Sequence, residues 1–569
     1  MKSKFLAAVF ITMSMFAGST TSPSQASSTF IEGSDPAAAM FNPLAVDSVS
    51  MRISPEDFEL LKTPNVDWNN EGPWLRCTLS GTIAGQKFGP MTVGMHLKGA
   101  WGSWRDVTSK AAFKIKVDEF VPKQTLYGQK LIMLNNMVQD PSYIHEALTY
   151  KLMRSLNIPA PRVGYSKVKL NGIDFGLHLN VEPVSKQMLS RWGITSKHLY
   201  KGGIPYFPDF VPGHETYFGI ESGSTTDISD ITELNQTSNF DGDTWFDKIS
   251  EVADMEQFTT VWAAELFAGH WDGYADNLNN FFINFDNSGK ATLLPWGTDQ
   301  TWNGALDYFS NRGILTSRCQ SSPKCAELYL QALAKVASTA KRINLYYYGS
   351  SIRDAINSAA ALDPWNNNTA WIRQQQDSAL SFADQQQSSL ANYVVPFDTT
   401  VNAIKIDAKY FDYKQVIYLA PANQTVDLKL IPTQRTATGE GFTRILTPGL
   451  NTFNMQVISA DGQHSSTNSI QLYLLTQRQS KLHLNYTSNL TLDKASTAVL
   501  KVLKTKLTAS SNIYLTFNTS KFTPKALVNS RIAKIASELK TLKIYPSKIS
   551  VLVSAIENNQ LQITATYQN

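Results

Sequence analysis

The pattern of the sequence changes near residue 398, and this change constrains the fold more than any other feature. From about 45 to 395, strand-like segments of alternating polarity are mixed with helix-like segments, which is typical of an α+β domain. From about 398 to 477, short alternating runs separated by Pro, Asn and Gly predict a small β-sandwich of the immunoglobulin-like (Ig-like) kind. Residues 478–569 place a helix-like run between two strand-like runs, and we predict a small α+β module there.

Residues 1–26 have the features of an export signal peptide. Lys2 and Lys4 precede an apolar run of about 14 residues, which is too short to cross a bilayer comfortably. Ser24 and Ala26 occupy small-residue cleavage positions, so we expect cleavage after Ala26. Because no second apolar run of spanning length follows, we expect a secreted, periplasmic or cell-surface protein without a transmembrane segment.

The composition argues against a highly charged partner. The formal net charge of +4 is small for 569 residues, and 43% of the residues are hydrophobic. This balance allows a sizeable core and does not require a nucleic acid or a membrane surface as partner. Cys319 and Cys325 flank the turn-rich sequence QSSPK and could form a disulfide, which would leave Cys77 as a buried thiol.

Local patterns predict several strands and helices in the α+β domain. Alternating polarity predicts strands over 91–99 and 111–120, and Asn171-Gly172 predicts the turn of a hairpin. A helix is predicted after Asp140, with Asp140 as N-cap and Pro141 in the first turn. Further helices are predicted over 250–270 and 325–395. We expect a long irregular insertion from Gly202 to Asp243, which is rich in Gly, Ser, Thr and Asp.

The segment HWDGYADNLNNFFINFDNSGKATLLPWGTDQTW, residues 270–302, combines carboxylates and carboxamides with aromatic residues; we call it the polar segment. Asp272 and Asn277 lie in a loop, a predicted hairpin follows, and Asp299 comes directly after it. Phosphoryl transfer needs one carboxylate at the acceptor and further oxygen ligands for Mg²⁺. The polar segment offers these groups in the order in which protein kinases arrange them.

The N-terminal half of the domain offers groups for a nucleotide. A turn between strands has backbone N–H groups that could cover phosphates, at Gly99, Gly102 and Ser103. Lys114 lies on a predicted strand and could pair with the α- and β-phosphates, and Glu146 on the following helix could hold this lysine. Glu182 ends a strand where a hinge between two lobes would fall. Other candidates for the lysine are Lys110, Lys116 and Lys201.

Residues from about 90 to 305 resemble the spore-coat CotH kinase family of exported, atypical protein kinases. The similar stretches include LKGAWGSW, KAAFKIKV, WDGYADNLNNFF and PWGTDQTW, in the expected order. The resemblance implies a two-lobed protein-kinase-like fold, ATP with Mg²⁺ or Mn²⁺, and transfer to Ser or Thr of an exported protein. It also implies that Asp272 is the catalytic aspartate, that Asp299 binds metal, and that Asn277 or Asn280 completes the metal site.

The sequence departs from the family pattern at two places. Two tryptophans make the glycine-rich turn GAWGSW bulky, and Gly297 and Thr298 stand where the family often has an acid-rich sequence. One alternative is therefore an inactive kinase-like structural or surface protein, whose C-terminal domains make coat contacts.

A second alternative is a carbohydrate-active protein with Glu265 and Asp272 as its carboxylate pair. Four tryptophans could line its sugar cleft: Trp262, Trp271, Trp296 and Trp302. Under the kinase hypothesis, the sequence leaves open whether a phosphoryl or a nucleotidyl group is transferred. No zinc-hydrolase motif His-Glu-x-x-His and no Gly-x-Ser-x-Gly elbow is present.

Overall fold

The structure is a computed structural model that mixes helices with several β-sheets. It describes residues 35–62, 72–365, 368–419 and 423–474, residues 498 and 537, and the backbone of four strands at 480–484, 513–520, 548–554 and 561–567. The predicted export signal and the helix predicted between the strands of the last module lie outside the described residues.

Seven strands close into a barrel: β1 (Val46–Arg52), β2 (Leu75–Ile83), β3 (Gln86–Lys98), β4 (Ala112–Lys116), β5 (Leu131–Asn135), β6 (Val163–Leu170) and β7 (Ile173–Val181). Their order is β1-β2-β3-β4-β5-β7-β6, and a parallel pairing of β1 with β6 closes the ring. The predicted strands 91–99 and 111–120 fall on β3 and β4. Along these strands Val93, Met95 and Phe113 are fully buried in the barrel core, because side chains alternate between the two faces.

The predicted hairpin at Asn171-Gly172 is confirmed. It joins β6 to β7, and both turn residues have positive φ angles, 51° and 84°, as a two-residue type I′ turn requires. The Asn171 side chain also accepts a hydrogen bond from the Ile53 N–H at 2.9 Å, so the turn is fixed to the end of β1.

Two helices accompany the barrel: α1 (Pro55–Leu60) and α2 (His145–Ser155). The prediction that Asp140 caps α2 is wrong in its boundary, since the helix begins at His145 with Ile144 as N-cap. Asp140 instead folds the preceding turn, where its carboxylate accepts hydrogen bonds from the backbone N–H groups of Ser142 and His145 at 2.9 and 2.8 Å. A carboxylate can serve the same orphan N–H groups from a turn ahead of the helix.

The second half of the α+β region has one antiparallel sheet and most of the helices. The strands, in the order β11-β10-β8-β9, are β8 (Ser196–Gly202), β9 (Gly219–Ser222), β10 (Phe281–Asp286) and β11 (Ala291–Pro295). The helices are α3 (Lys186–Arg191), α4 (Ser229–Gln236), α5 (Gly242–Val252), α6 (Met255–Ala268), α7 (Tyr274–Asn277), α8 (Ile314–Ser321), α9 (Pro323–Ile343), α10 (Leu345–Ala361) and α11 (Thr369–Val394). The helices predicted over 250–270 and 325–395 are therefore present. No helix in the described part of the chain is long and apolar enough to cross a membrane.

The prediction of an irregular insertion over 202–243 is wrong in part, since β9 and α4 lie within it. Helix α4 forms because Ile231 and Leu234, three residues apart, share one face and are fully buried in the main core. The polar composition of the segment hides this short apolar stripe.

The chain from 401 to 474 forms two four-stranded sheets around one hydrophobic cluster. The strands are β12 (Val401–Ile406), β13 (Lys409–Phe411), β14 (Ile417–Leu419), β15 (Thr425–Pro432), β16 (Thr438–Gly439), β17 (Gly441–Ile445), β18 (Gly449–Ile458) and β19 (Ser465–Leu474). A last sheet, in the order β20-β23-β21-β22, contains β20 (Ser480–Leu484), β21 (Ile513–Ser520), β22 (Lys548–Ser554) and β23 (Leu561–Tyr567).

Candidate functional site

A large cleft of about 1430 Å³ lies between one face of the barrel and the polar segment. On the barrel side it is lined by residues of β3, β4 and β5, including Lys98, Lys114 and Asn135. On the other side it is lined by residues of the polar segment, including Asp272, Asn277, Asn280 and Asp299. The cleft therefore joins most of the predicted site residues.

The barrel side of the cleft contributes a lysine that the sequence analysis did not select. The Lys98 ammonium donates a hydrogen bond to the side-chain oxygen of Asn135, and the Asn135 amide donates to the Glu146 carboxylate at 2.9 Å. Lys98 ends β3 and faces the same side as Lys114, because Ala112 and Lys114 on β4 pair with Lys98 and His96 on β3. The alternating polarity along β3 was the sequence signal that could have identified Lys98 as a cleft residue.

The four lysines considered from the sequence have different surroundings. Lys114 and Lys201 line the cleft. Lys110 is buried and pairs with Asp363 at 2.5 Å, and Lys116 forms an exposed pair with Glu119 at 2.7 Å. Of these four lysines, only Lys114 and Lys201 line the cleft, where Lys98 joins them.

The glycine-rich turn covers one end of the cleft. Gly99 and Ser103 line the cleft, whereas Gly102 does not. Gly99 has a φ of +125°, and a Cβ there would lie 2.9 Å from the Trp104 Cα, so the close turn requires glycine. The N–H groups of Ser103 and Trp104 both donate to the Ala100 carbonyl, at 3.1 and 2.9 Å, so these two N–H groups hold the turn together.

The Asp272 carboxylate is held by three carboxamides of the polar segment. Asn277 and Asn280 each donate to one of its oxygens at 2.7 Å, and Asn279 donates to both at 3.1 Å. Asn279 was not among the predicted site residues. These bonds fix the orientation of the carboxylate at the surface of the cleft.

The hairpin of β10 and β11 brings the two ends of the polar segment together. Pairing of Phe281 with Pro295 places Asn280 beside Gly297, and the Trp296 N–H donates to the Asn280 carbonyl at 3.1 Å. Gly297 has a φ of +54°, and a Cβ there would lie 2.6 Å from the Asn280 side-chain oxygen. Gly297 departs from the family pattern, and the close position of the Asn280 side chain explains why a glycine stands there.

Two acidic side chains of the cleft influence each other. Burial raises the pKa of Glu146 well above its usual value, and the charge of Asp299 raises it further. Burial also raises the pKa of Asp299, followed by the charge of Asp140. His145 Nδ1 donates to the Asp299 carbonyl at 2.8 Å and so ties the start of α2 to the polar segment.

His270 is a buried link that the sequence analysis did not identify. Its Nε2 donates to the Gly297 carbonyl at 3.2 Å, and its Nδ1 lies 3.7 Å from the Glu265 carboxylate. Burial disfavours the charged ring, but Glu265 and then Asp272 raise the pKa of His270 above its usual value. The residue joins the Asp272 end of the polar segment to the Asp299 end.

The prediction that Glu182 belongs to the nucleotide-binding groups does not agree with its position. Its buried carboxylate accepts hydrogen bonds from Arg162 at 2.9 Å and from Arg191, and it does not line the cleft. Its neighbours Pro183 and Val184 do line it. A carboxylate engaged by two guanidinium groups serves the packing of this corner and is not placed to bind a nucleotide.

The residues of the carbohydrate alternative do not form an open groove. Glu265 is fully buried and does not line the cleft, and Trp262 and Trp302 are each 1% exposed. Trp271, Trp296 and Asp272 line the cleft, but the buried Glu265 is not accessible to a sugar, so the proposed acid pair is incomplete.

The oxygen atoms in the cleft suit a hard divalent cation. Within the described residues, no group of three or more His, Cys, Asp or Glu side chains is arranged to hold a metal ion. Asp272 and Asp299 lie in the cleft with the carboxamides of Asn277 and Asn280. Mg²⁺ needs few protein ligands, because it keeps several waters and binds phosphate oxygens as well.

Comparisons with known proteins agree with the resemblance. The family model described as "CotH kinase protein" matches residues 95–335. "Inner spore coat protein H" of Bacillus subtilis (strain 168) is 22% identical over 241 residues, which cover 38% of this chain and 64% of that protein. "Inner spore coat protein H-like protein" of the same organism is 31% identical over 78 residues, which cover 14% of this chain and 24% of that protein.

The chain thus covers less than two thirds of the length of either relative. The match extends from β3 to α9 and contains the cleft residues from Lys98 to Asp299. Residues 95–335 of this chain are thus similar to the CotH family.

Proposed function

We propose that the CotH domain is a kinase-like phosphotransferase, which moves the γ-phosphoryl group of ATP to a Ser or Thr hydroxyl of an exported or surface protein. The observation that carries the proposal is that one cleft joins Asp272, Asp299 and the Lys98–Asn135–Glu146 chain. These residues come from separate parts of the sequence. Phosphoryl transfer depends mainly on positioning and charge stabilisation, and this set supplies both.

Asp272 is the proposed catalytic aspartate. The three carboxamides that donate to it hold both carboxylate oxygens, which fixes their direction relative to the cleft. A carboxylate in this position orients the acceptor hydroxyl and accepts its proton as the bond to phosphorus forms.

Asp299, with Asn277 or Asn280, is the proposed holder of Mg²⁺ or Mn²⁺. A bound divalent cation would neutralise charge on the phosphate oxygens. In this arrangement the protein provides hard oxygen ligands, and His145 and His270 hold the backbone on either side of Asp299. Asn277 or Asn280 would offer its side-chain oxygen as a ligand while its amide nitrogen donates to Asp272.

Lys98 is the proposed partner of the ATP phosphates, with Lys114 as the alternative from the sequence. Lys98 is joined through Asn135 to Glu146 on α2, which resembles the lysine–glutamate pair of protein kinases with one carboxamide inserted. In the proposed two-lobed arrangement, the barrel forms the first lobe and the sheet and helices after α3 form the second. Pro183 and Val184 then lie at the hinge.

The experiment uses the mature protein with Mg²⁺ or Mn²⁺ and ATP labelled at either the α- or the γ-phosphate, because both transfers are possible at such a site. Asp272→Ala and Asp299→Ala are the test variants. Asp247→Ala, on the exposed face of α5, is the control. Label from γ alone, lost in both test variants and kept in the control, is the expected result.

Two other results would change the proposal. Label from the α-phosphate would mean nucleotidyl transfer at the same site. No label from either position, together with no ATP binding by calorimetry, would contradict the enzyme and favour a kinase-like protein that acts by binding at a coat or cell surface.

A further inference from the structure

A second cavity lies away from the cleft, where α6, α8 and α9 meet the loop after residue 302. Its volume is about 220 Å³, and none of its lining residues lines the cleft. The lining residues are mostly apolar or aromatic: Trp262, Leu266, Phe309, Ser310, Thr316, Cys319, Gln320, Ala326 and Tyr329. The cavity is smaller than the roughly 300–1,000 Å³ of pockets for drug-sized ligands, so it suits a smaller molecule.

Most polar side chains around this cavity already have a partner inside the protein. Thr316 donates to the Gly313 carbonyl at 2.8 Å, and Gln320 donates to the Phe309 carbonyl at 2.7 Å. The other pairs are Ser310 with Asp276, Tyr329 with the Tyr308 carbonyl, and the disulfide of Cys319 with Cys325. These polar groups therefore do not need a bound molecule as a hydrogen-bond partner.

Trp262 is the exception among the described residues that line the cavity. Its side chain is 1% exposed, and its indole Nε1–H has no hydrogen-bond acceptor in the described part of the chain. The centroid of the Trp262 ring lies 6.0 Å from that of Phe258, in an edge contact, and 6.3 Å from that of Tyr274. These two contacts hold the ring in place. Buried donors are rarely left unpaired, because loss of their hydration is unfavourable.

We propose that this cavity binds a small planar molecule that is largely apolar and carries one hydrogen-bond acceptor. The acceptor pairs with the Trp262 Nε1–H, and the ring packs against the aromatic walls of Trp262 and Tyr329. Phe309 is 38% exposed, and its ring centroid lies 5.9 Å from that of Tyr329, so Phe309 stands at the entrance of the cavity. The proposal does not depend on the phosphotransferase, since the two sites share no lining residue.

The test compares acetophenone, a planar ring with one carbonyl acceptor, with ethylbenzene, which has a similar shape and no acceptor. Binding of each to the full protein is measured by calorimetry. Ala326→Phe fills the cavity, Ala326→Ser is its matched control, and Trp262→Phe keeps a ring but removes the donor. Melting temperature and circular dichroism establish that each variant is folded.

We expect saturable binding of acetophenone that is lost in Ala326→Phe and kept in Ala326→Ser. The wild type should bind acetophenone about tenfold more tightly than ethylbenzene, the ratio of one net hydrogen bond, and Trp262→Phe should remove this preference. Absence of saturable binding, equal binding to Ala326→Phe, or equal affinities of the wild type for both probes would overturn the proposal.

A measurement on the wild type covers the case in which Trp262→Phe does not fold. With ¹⁵N-labelled tryptophan, acetophenone should move one indole N–H resonance in a saturable way, whereas ethylbenzene should move it less. If no indole N–H resonance responds to acetophenone, the assigned hydrogen bond is absent and the proposal fails.

Discussion

At the scale of single residues, two lysines on neighbouring strands, Lys98 and Lys114, have different surroundings in the cleft although both are predicted to lie on strands. Lys98 and Lys114 lie on the same face of the barrel, but Lys98 is joined through Asn135 to Glu146. Such a chain holds the ammonium in a fixed direction, as a phosphate partner requires. The difference leads to a prediction for the two positions.

Lys98→Met should lower kcat/KM for ATP by about 100-fold or more, because a fixed charge on the phosphates is lost. Lys114→Met should lower it less than about tenfold. Steady-state transfer at varied ATP measures both, with Lys116→Met as control on the same strand. The reverse order of the two effects would restore Lys114 as the phosphate lysine.

His178 should make the stability of the fold depend on pH. Burial, followed by the charge of Lys110, lowers the pKa of His178 to about 4 from its usual 6.5. Between these values the unfolded chain binds the proton and the folded chain does not. The free energy of unfolding should therefore fall by about 3 kcal/mol as the pH falls from 6.5 to 4, and this contribution is fully present above pH 6.5.

Denaturant unfolding at several pH values checks the His178 prediction. His178→Gln keeps a side-chain donor for the Ala111 carbonyl, which His178 Nε2 contacts at 2.8 Å, and does not titrate. The wild-type curve should be steeper than that of the variant between pH 6.5 and 4. Parallel curves would mean that His178 is not responsible.

At the scale of elements, the disulfide of Cys319 with Cys325 joins α8 to the start of α9, as the sequence allowed. Between the two cysteines, Ser322 caps α9 by accepting from the Cys325 N–H at 3.3 Å, and it donates to Asp243 at 2.6 Å. The turn is therefore held by a covalent bond and by a cap.

Replacing both cysteines by serine should lower the free energy of unfolding by about 2 kcal/mol, since the bond closes only a short loop. Denaturant unfolding of the wild type with and without reductant provides the comparison. Reduction should have the same effect as the double variant, because Cys77 is buried and burial raises the pKa of its thiol to about 12. A stability unchanged by both treatments would contradict the prediction.

At the scale of the whole molecule, one buried ion pair joins the barrel to the helices. Lys110 follows β3 and pairs with Asp363 after α10 at 2.5 Å, and Asp363 also accepts from the Leu177 N–H on β7 at 3.1 Å. Neither side chain is accessible to water, so removal of one partner leaves a buried charge.

Asp363→Ala should therefore lower the free energy of unfolding by about 3–5 kcal/mol, whereas Lys110→Met combined with Asp363→Leu should cost less. Asp247→Ala breaks the exposed pair with Lys324 and is the matched control, with an expected change of about 0–1 kcal/mol. Thermal and denaturant unfolding measure all three. If Asp363→Ala behaves like the control, the pair does not hold the two regions together.

Local sequence patterns were enough to predict several strands, one hairpin and many of the polar groups of the site. Alternating polarity was enough for β3 and β4, because side-chain direction in a strand depends only on the chain, and Asn171-Gly172 was enough for its hairpin. The match to the CotH family model over residues 95–335 contains both Asp272 and Asp299.

Which of these groups meet in space depends on the tertiary fold. It joined Lys98 to Glu146 through Asn135, gave Glu182 two arginine partners, and buried Glu265 behind the cleft. Local periodicity states which face a side chain occupies, but not which side chain of a distant element packs against it. That choice depends on the packing of the barrel against the helices, and no single stretch of sequence contains it.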